Sequence, residues 1–296
     1  MAHPNTSSPE SPQTGRLYLI PTPLGSRPEN NTIPDHVIET VHGLDTFFVE
    51  RIRRANSFLR WIKHPLPDYK CRFYELNKHT SGEDLLEMLS LLKKGGRAGI
   101  ISEAGCPSVA DPGSNMVRLA HESGIPVTPL VGPSSILLAL MGSGLNGQSF
   151  TFYGYLPKPG RQRTEQIRYL QKESARTRHT QIFMETPFRN NDLLDELIRV
   201  LEDDTLLSVA SNLTLASEKI TTCRIADWKK RVYDLNQQPA IFLIQTGSDK
   251  QHPEQQRHPG SAPRKKGRSQ SKSAGKPTDR PGKTKPAHGR KRVKNK

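Results

Sequence analysis

Apolar positions along this chain switch repeatedly between two spacings. The segments RLYLI (16–20), DTFFVE (45–50), FYELN (73–77), RAGIIS (97–102) and PVTPL (126–130) are short runs of branched and aromatic residues, the signature of strands. Between them the apolar residues recur at helical spacing, as with Val37, Ile38, Val41 and Leu44 in 35–44. Ile52, Ala55, Phe58, Leu59 and Ile62 form a second such stripe in 51–62. The segment SGEDLLEMLSLLKKGG (81–96) carries acids early, lysines late and glycine after its end, as a helix dipole and C-cap prefer. A further helix is predicted at 115–124, and 132–145 reads as a small-residue helix with a serine cap. Strand and helix alternate with connections long enough for crossovers, which predicts an α/β fold with a parallel sheet. From FTFYGYLP (150–157) the character changes. A basic helix (160–174), a strand (180–185), an Asn-capped helix (190–201) and strands at 206–213, 217–228 and 239–245 predict a second, mixed α/β domain. The expected division is 16–130 for the N-terminal domain and 131–248 for the C-terminal one.

In parallel sheets ligands sit at the carboxyl ends of strands. Two Gly- and Pro-rich loops begin there, PTPLGSRP after the first strand and SEAGCPSVADPG after the fourth. The second packs Gly105, Pro107, Asp111, Pro112 and Gly113 into nine residues. Two readings are open: a sharp strand-to-helix connection, or a backbone-lined ligand site. It matches neither the dinucleotide fingerprint nor the phosphate loop. It holds no lysine or arginine, so a polar uncharged or cationic ligand suits it better than a polyphosphate. Ser134 and Ser135 cap a core helix on one reading and also line the same cleft on the other. In VERIRR (49–54), Glu50 and Arg53 belong either to a solvated basic helix face or to a substrate-facing surface at a strand end. No histidine pair has ligand spacing, and the three cysteines Cys71, Cys106 and Cys223 are widely separated, so no metal site is expected.

Charge changes the picture only at the end of the chain. Residues 249–296 hold 16 of the 44 Lys and Arg but 3 of the 29 Asp and Glu. That stretch has no aromatic residue and six prolines, so it is expected to be disordered, as are residues 1–15. Polyanion contact by the polybasic tail, salt-sensitive and sequence-independent, stands against a merely solubilising role. No apolar stretch approaches the roughly 20 residues of a membrane span. The chain lacks a secretory signature, and a cytoplasmic protein is expected.

Several stretches together resemble one family. RLYLIPTPLG, ISEAGCPSVADPGSNMVRLAHESGIPVTPLVGPSSILLAL, GSGLNGQSFTFYGYLP and IFMETPFRNNDLLDEL are similar to the ribosomal RNA small subunit methyltransferase I family of the tetrapyrrole methylase superfamily. The resemblance runs from about Leu17 to Gln245. It implies a two-domain, S-adenosylmethionine-dependent methyltransferase, usually a homodimer, with ribose 2′-hydroxyls of small-subunit rRNA as acceptors. By the same match the cofactor would be held by Pro23, Leu24, Ala104, Gly105, Cys106, Val109, Ser134, Ser135, Met184 and Leu213. Glu50 is the candidate proton acceptor, with Arg53 holding a phosphate or orienting Glu50. Two stretches depart from the family pattern. VERIR replaces the typical AEDTR, putting Arg51-Ile52 where an Asp-Thr pair is usual. ASNLTL replaces ARELTK, putting Ser211, Asn212 and Leu215 where Arg, Glu and Lys are usual. A small-molecule tetrapyrrole methylase and a non-catalytic RNA-binding or ribosome-binding protein are the alternatives.

Overall fold

The structure is a computed structural model and describes residues 15–25 and 31–247. The disorder expected at either end lies outside the described residues, Gly15 apart.

Five parallel strands build the first sheet: β1 (Arg16–Ile20), β2 (Thr46–Val49), β3 (Arg72–Glu75), β4 (Arg97–Ile101) and β5 (Val127–Pro129). Their order is β3-β2-β4-β1-β5. Alternation along each strand splits its side chains between two cores. Leu17, Phe48 and Ile100 pack beneath α3 (Gly82–Lys93) and α4 (Ser114–Glu122). Tyr18, Ile20, Phe47, Val49 and Ile101 pack beneath α1 (Asp35–His42) and α2 (Ile52–Trp61). The α3 start is a capping box: Ser81 Oγ accepts from the Asp84 N–H, and the Asp84 carboxylate accepts from the Ser81 N–H.

α5 (Ser135–Ser143) leads into the second sheet: β6 (Phe150–Tyr155), β7 (Thr180–Met184), β8 (Leu206–Ser211), β9 (Lys219–Arg224) and β10 (Ala240–Gln245). The order is β6-β7-β10-β8-β9, with β6 and β7 parallel and every other pair antiparallel. This is the mixed sheet expected. One face is covered by α6 (Arg161–Thr177), α7 (Asn190–Val200) and the short α8 (Ile225–Trp228). The other lies on α5, through Ala139, Leu140, Ile182, Ala210 and Leu243.

Two local expectations need correction. The strand read over 217–228 ends at Arg224 and turns into α8. Ile225 and Trp228, three residues apart, both drop into the core, where the Trp228 indole N–H donates to the Leu207 carbonyl at 2.9 Å. Helix α7 begins without an Asn cap. Asn190 is fully buried and donates instead to the Gln238 carbonyl at 2.6 Å, while Asn191 Oδ1 accepts from the Leu235 N–H. Both asparagines tie the helix to the loop before β10. No helix among the described residues is long and apolar enough to cross a membrane.

A buried charge network crosses the second lobe. Arg163 on α6, with a side chain 3% exposed, donates to Glu196 of α7 at 2.5 Å. Thr164 Oγ1 donates to the other Glu196 oxygen at 2.5 Å, and Arg163 also faces Glu185, past the end of β7, at 3.7 Å. Removing one partner of such a pair strands a buried charge, at a cost of about 3–5 kcal/mol. Arg163→Met is therefore expected to lower the urea midpoint of the full chain sharply at an unchanged slope. An unchanged midpoint would show that the network is solvated.

Candidate active-site cleft

Three loops leave the carboxyl ends of the neighbouring strands β4, β1 and β5, and they are tied together. Thr22 and Gly105 exchange both backbone hydrogen bonds at 3.0 Å. Ser102 Oγ donates to the Gly105 carbonyl at 2.5 Å, and the Cys106 thiol donates to the Pro133 carbonyl at 3.5 Å. Gly105 sits at φ +75°, where a Cβ would also meet Leu24 Cδ2 at 3.0 Å and the Pro133 carbonyl at 3.4 Å. Glycine is thus required here by conformation and by space. Beyond it Ser108 (φ 65°) and Ala110 (φ 56°) are left-handed as well, a strained path for residues carrying a side chain.

This loop forms one wall of a cavity of about 310 Å³. Leu24, Glu103, Ala104, Val109, Ala110, Asp111, Ser135 and Ile136 line the near side. Phe152, Tyr155, Met184, Glu185, Pro187, Asn212, Leu213, Leu215 and the start of β10 line the far side. The two sides touch where Leu215 covers Gly25, so closely that a Cβ on Gly25 would lie 2.6 Å from Leu215 Cδ2.

Charge in the cavity is one-sided. Among the described residues its lining contains Glu103, Asp111 and Glu185 and no lysine, arginine or histidine. Burial raises Glu185, but hydrogen bonds from Arg189 (2.6 Å) and the Thr186 N–H (2.7 Å) outweigh it and hold the carboxylate below its ordinary range. Burial raises Glu103 above its ordinary value. The Arg51 and Arg54 guanidiniums, 3.7 and 3.9 Å away, pull it down, and the Glu50 charge pushes it up. Asp111 is the most perturbed of the three. Burial and then the Glu50 charge push its carboxyl up to about 6, against a hydrogen bond from the Glu103 N–H.

Of the residues expected from sequence, Leu24, Ala104, Val109, Ser135, Met184 and Leu213 line the cavity. Gly105 and Cys106 lie just behind it, holding the loops together, and burial pushes the Cys106 thiol up and keeps it neutral. Ser134 Oγ accepts the Leu137 N–H at 3.5 Å as the cap of α5. Pro23 borders an adjoining depression of about 170 Å³ that shares Glu103 with the cavity. Glu50 stands half-buried just past β2, 4.0 Å from Arg51. Arg53 lies outside, on the exposed face of α2, away from Glu50 as far as hydrogen bonds and ion pairs go among the described residues. Sequence reasoning did not single out Glu103, Asp111, Tyr155, Asn212 or Leu215 as lining residues. Asp111 was visible only as a turn former within ADPG.

Comparison with known proteins agrees with this architecture. The family described as Tetrapyrrole (Corrin/Porphyrin) Methylases matches residues 16–229. Proteins named ribosomal RNA small subunit methyltransferase I are similar across the folded body. The Bacillus subtilis protein is 32% identical over 215 residues, 72% of this chain and 68% of its own. The Haemophilus influenzae protein is 31% identical over 210 residues, 70% and 69%. The Xylella fastidiosa protein is 31% identical over 235 residues, 78% and 80%. Among solved structures, the methyltransferase CobJ superposes with a TM-score of 0.51 at 14% identity, covering 78% of this chain and 93% of that one, a likeness of fold. A cleft at the carboxyl ends of a parallel sheet, closed by a mixed second sheet, therefore sits in a chain that belongs to the ribosomal RNA small subunit methyltransferase I family of S-adenosylmethionine-dependent tetrapyrrole methylases.

Proposed function

We propose that this protein methylates small-subunit ribosomal RNA, with a ribose 2′-hydroxyl as acceptor. The observation that carries the reading is the cavity itself: carboxylates and backbone groups without a cation, in a chain whose relatives carry the rRNA methyltransferase name. The residues present fit S-adenosylmethionine. A sulfonium is cationic, so Glu103 and Asp111 attract it where a phosphate would be repelled. Leu24, Val109, Met184 and Leu213 supply the apolar wall, and Ala104 and Ser135 bring backbone close without bulk. Pro23, Gly105, Cys106 and Ser134 hold these contacts in place from behind. When bound, the cofactor supplies a methyl group on a good leaving sulfur.

A ribose hydroxyl is a poor nucleophile at neutral pH and gains from a positioned proton acceptor. Asp111 lines the cavity with a carboxyl near 6, ionised at pH 7 yet basic enough to take a proton. Glu50 acts on it by charge, and Arg53, exposed on α2, holds a phosphate of the acceptor strand. Asp111 would take the hydroxyl proton on a carboxylate oxygen as the methyl carbon leaves the sulfur, which keeps the bonding pair, for the ribose oxygen. Orientation of acceptor against donor supplies the remainder of the acceleration. The polybasic tail adds sequence-independent RNA affinity, and a cytoplasmic site of action follows from a ribosomal substrate. The homodimer is supported by an apolar face on α5, where Leu137 is 51% and Met141 79% exposed one turn apart.

Labelled methyl from S-adenosylmethionine is expected to enter small subunits from a strain lacking the gene, and to survive alkali in a dinucleotide. Label in an alkali-labile nucleotide would move the acceptor to a base, and label only in a porphyrinogen would favour a small-molecule acceptor. The turnover rate should climb about tenfold per pH unit below 6 and level above it, because Asp111 acts when ionised. Asp111→Asn should remove that limb and lower kcat by about 10²- to 10⁴-fold, with cofactor affinity changed far less. A retained limb would assign the proton to another group. Leu137→Glu with Met141→Glu should convert the protein to monomers by light scattering; an unchanged mass would place the dimer contact elsewhere.

A further inference from the structure

We propose that the outer face of α2 and the depression beside it dock the acceptor strand, with Trp61 stacking on an unpaired base and Arg53, Arg54 and Lys63 gripping flanking phosphates. The inference rests on RNA being the acceptor.

Helix α2 is anchored by Ala55, Phe58 and Leu59, with Ile62 following, and its hold on the sheet does not use Trp61. The Trp61 ring instead leans on Phe58, with centroids 6.2 Å apart, and the residue keeps 42% of its surface exposed. The depression it borders is lined by Pro23, Gly25, Arg54, Phe58 and Glu103, among others, and opens beside the cavity through the shared Glu103. A base held on Trp61 thus lies in a depression that meets, at Glu103, the cavity that Asp111 lines.

Charge matches a polyanion. Residues 51–63 contain five basic side chains and no acidic one. Arg60 is committed to Asp68 at 2.6 Å, and Arg51 and Arg54 meet Glu103 loosely at 3.7 and 3.9 Å. Among the described residues no acid lies within ion-pair range of Arg53 or Lys63, and both are exposed. Arg53 and Arg54 also sit in the first turn of α2, where the helix dipole disfavours cations and favours phosphates. A fold needing only a solvated helix would gain from acids there. An exposed aromatic ring among arginines is what single-stranded RNA recognition uses, because every base has a face to stack and phosphates flank it.

The test uses the full chain and a single-stranded oligoribonucleotide of small-subunit sequence. Trp228 is buried, so quenching on titration reports Trp61. Wild-type fluorescence should be quenched, and Trp61→Ala should weaken binding roughly 5- to 100-fold, with Trp61→Phe restoring most of it. Arg53→Ala should lower the salt dependence of binding by about one unit of slope. In methyl transfer the same variants should raise KM for subunits and leave cofactor affinity unchanged, while Arg118→Ala, on the opposite face of the sheet, should change neither. Wild-type methylation of subunits with Trp61→Ala and Arg53→Ala unaltered in KM and oligonucleotide binding would overturn the docking surface alone. Oligonucleotide binding through Trp61 without methylation of any RNA would keep the surface and overturn the acceptor. Neither binding nor methylation would overturn both.

Discussion

The pair of hydrogen bonds between Thr22 and Gly105 is the constraint on which the cleft depends, because it welds two loops that would otherwise diverge from adjacent strands. The Gly105 carbonyl accepts from both the Thr22 N–H and Ser102 Oγ, so its peptide plane is fixed. With that plane fixed at φ +75°, the chain leaves at an angle that forces Ser108 and Ala110 into left-handed conformations. Each such residue costs about 1–3 kcal/mol and persists only where the surroundings over-determine it. Here the over-determination comes from Cys106 on the Pro133 carbonyl and from Gly113, which makes room for Ser108. The outcome is a wall of backbone and small side chains facing the second sheet. Ala104 and Val109 point outward because the weld holds their neighbours in.

Two kinds of carboxylate occupy the cleft, and their surroundings set them apart. Glu185 is answered by Arg189 and faces Arg163, so it remains a fixed charge that braces β7 against α6 and α7. Asp111 has no basic neighbour among the described residues. It is half-buried and shares its field with Glu50 and Glu103. Its proton affinity therefore rises, while that of Glu185 falls. Partners hold one carboxylate below its ordinary range, while burial and a like charge hold the other above it. The division follows from burial and partners alone.

Much of this was legible in the sequence, and the limits have physical reasons. The alternation of spacings through residues 16–130 points to the parallel sheet because the inner strands β1, β2 and β4 are buried on both faces and each helix on one. The two Gly- and Pro-rich loops announced the cleft because a wall of backbone needs left-handed positions and little side-chain bulk. In the second lobe the spacing misled at 225–228, where Ile225 and Trp228 continue an apolar run but turn into the core as a helix. Asn190 reads as a cap by type, yet a buried amide satisfying the Gln238 carbonyl looks identical in one dimension. Asp111 was hidden for the same reason. Its carboxyl is raised first by burial in the folded cleft and then by the charge of Glu50, 61 positions away in the chain, and no local pattern encodes either.

The departures from the family pattern acquire a common sense once they are placed. Leu215 and Ser211, where charged residues are usual, are spent on packing. Leu215 seals the second lobe against Gly25, and Ser211 is buried with its hydroxyl toward the Lys219 carbonyl at 3.4 Å. That hairpin therefore gives the cleft an apolar latch rather than a charged lip. Across the cleft the change runs the other way: Arg51 stands where an acid is usual, and it leans on Glu103 with Arg54. Set against the pattern that the resemblance implies, the end of β8 and the turn after it lack basic residues while the start of α2 has an additional arginine. A polyanionic acceptor needs cations on one side of the cavity mouth, not on a particular side, since phosphate contacts position a strand without reading it. The interior meanwhile stays free of cations, as a sulfonium donor requires. A basic surface on α2 keeps both conditions, and Arg54 lines the same depression as the exposed indole of Trp61.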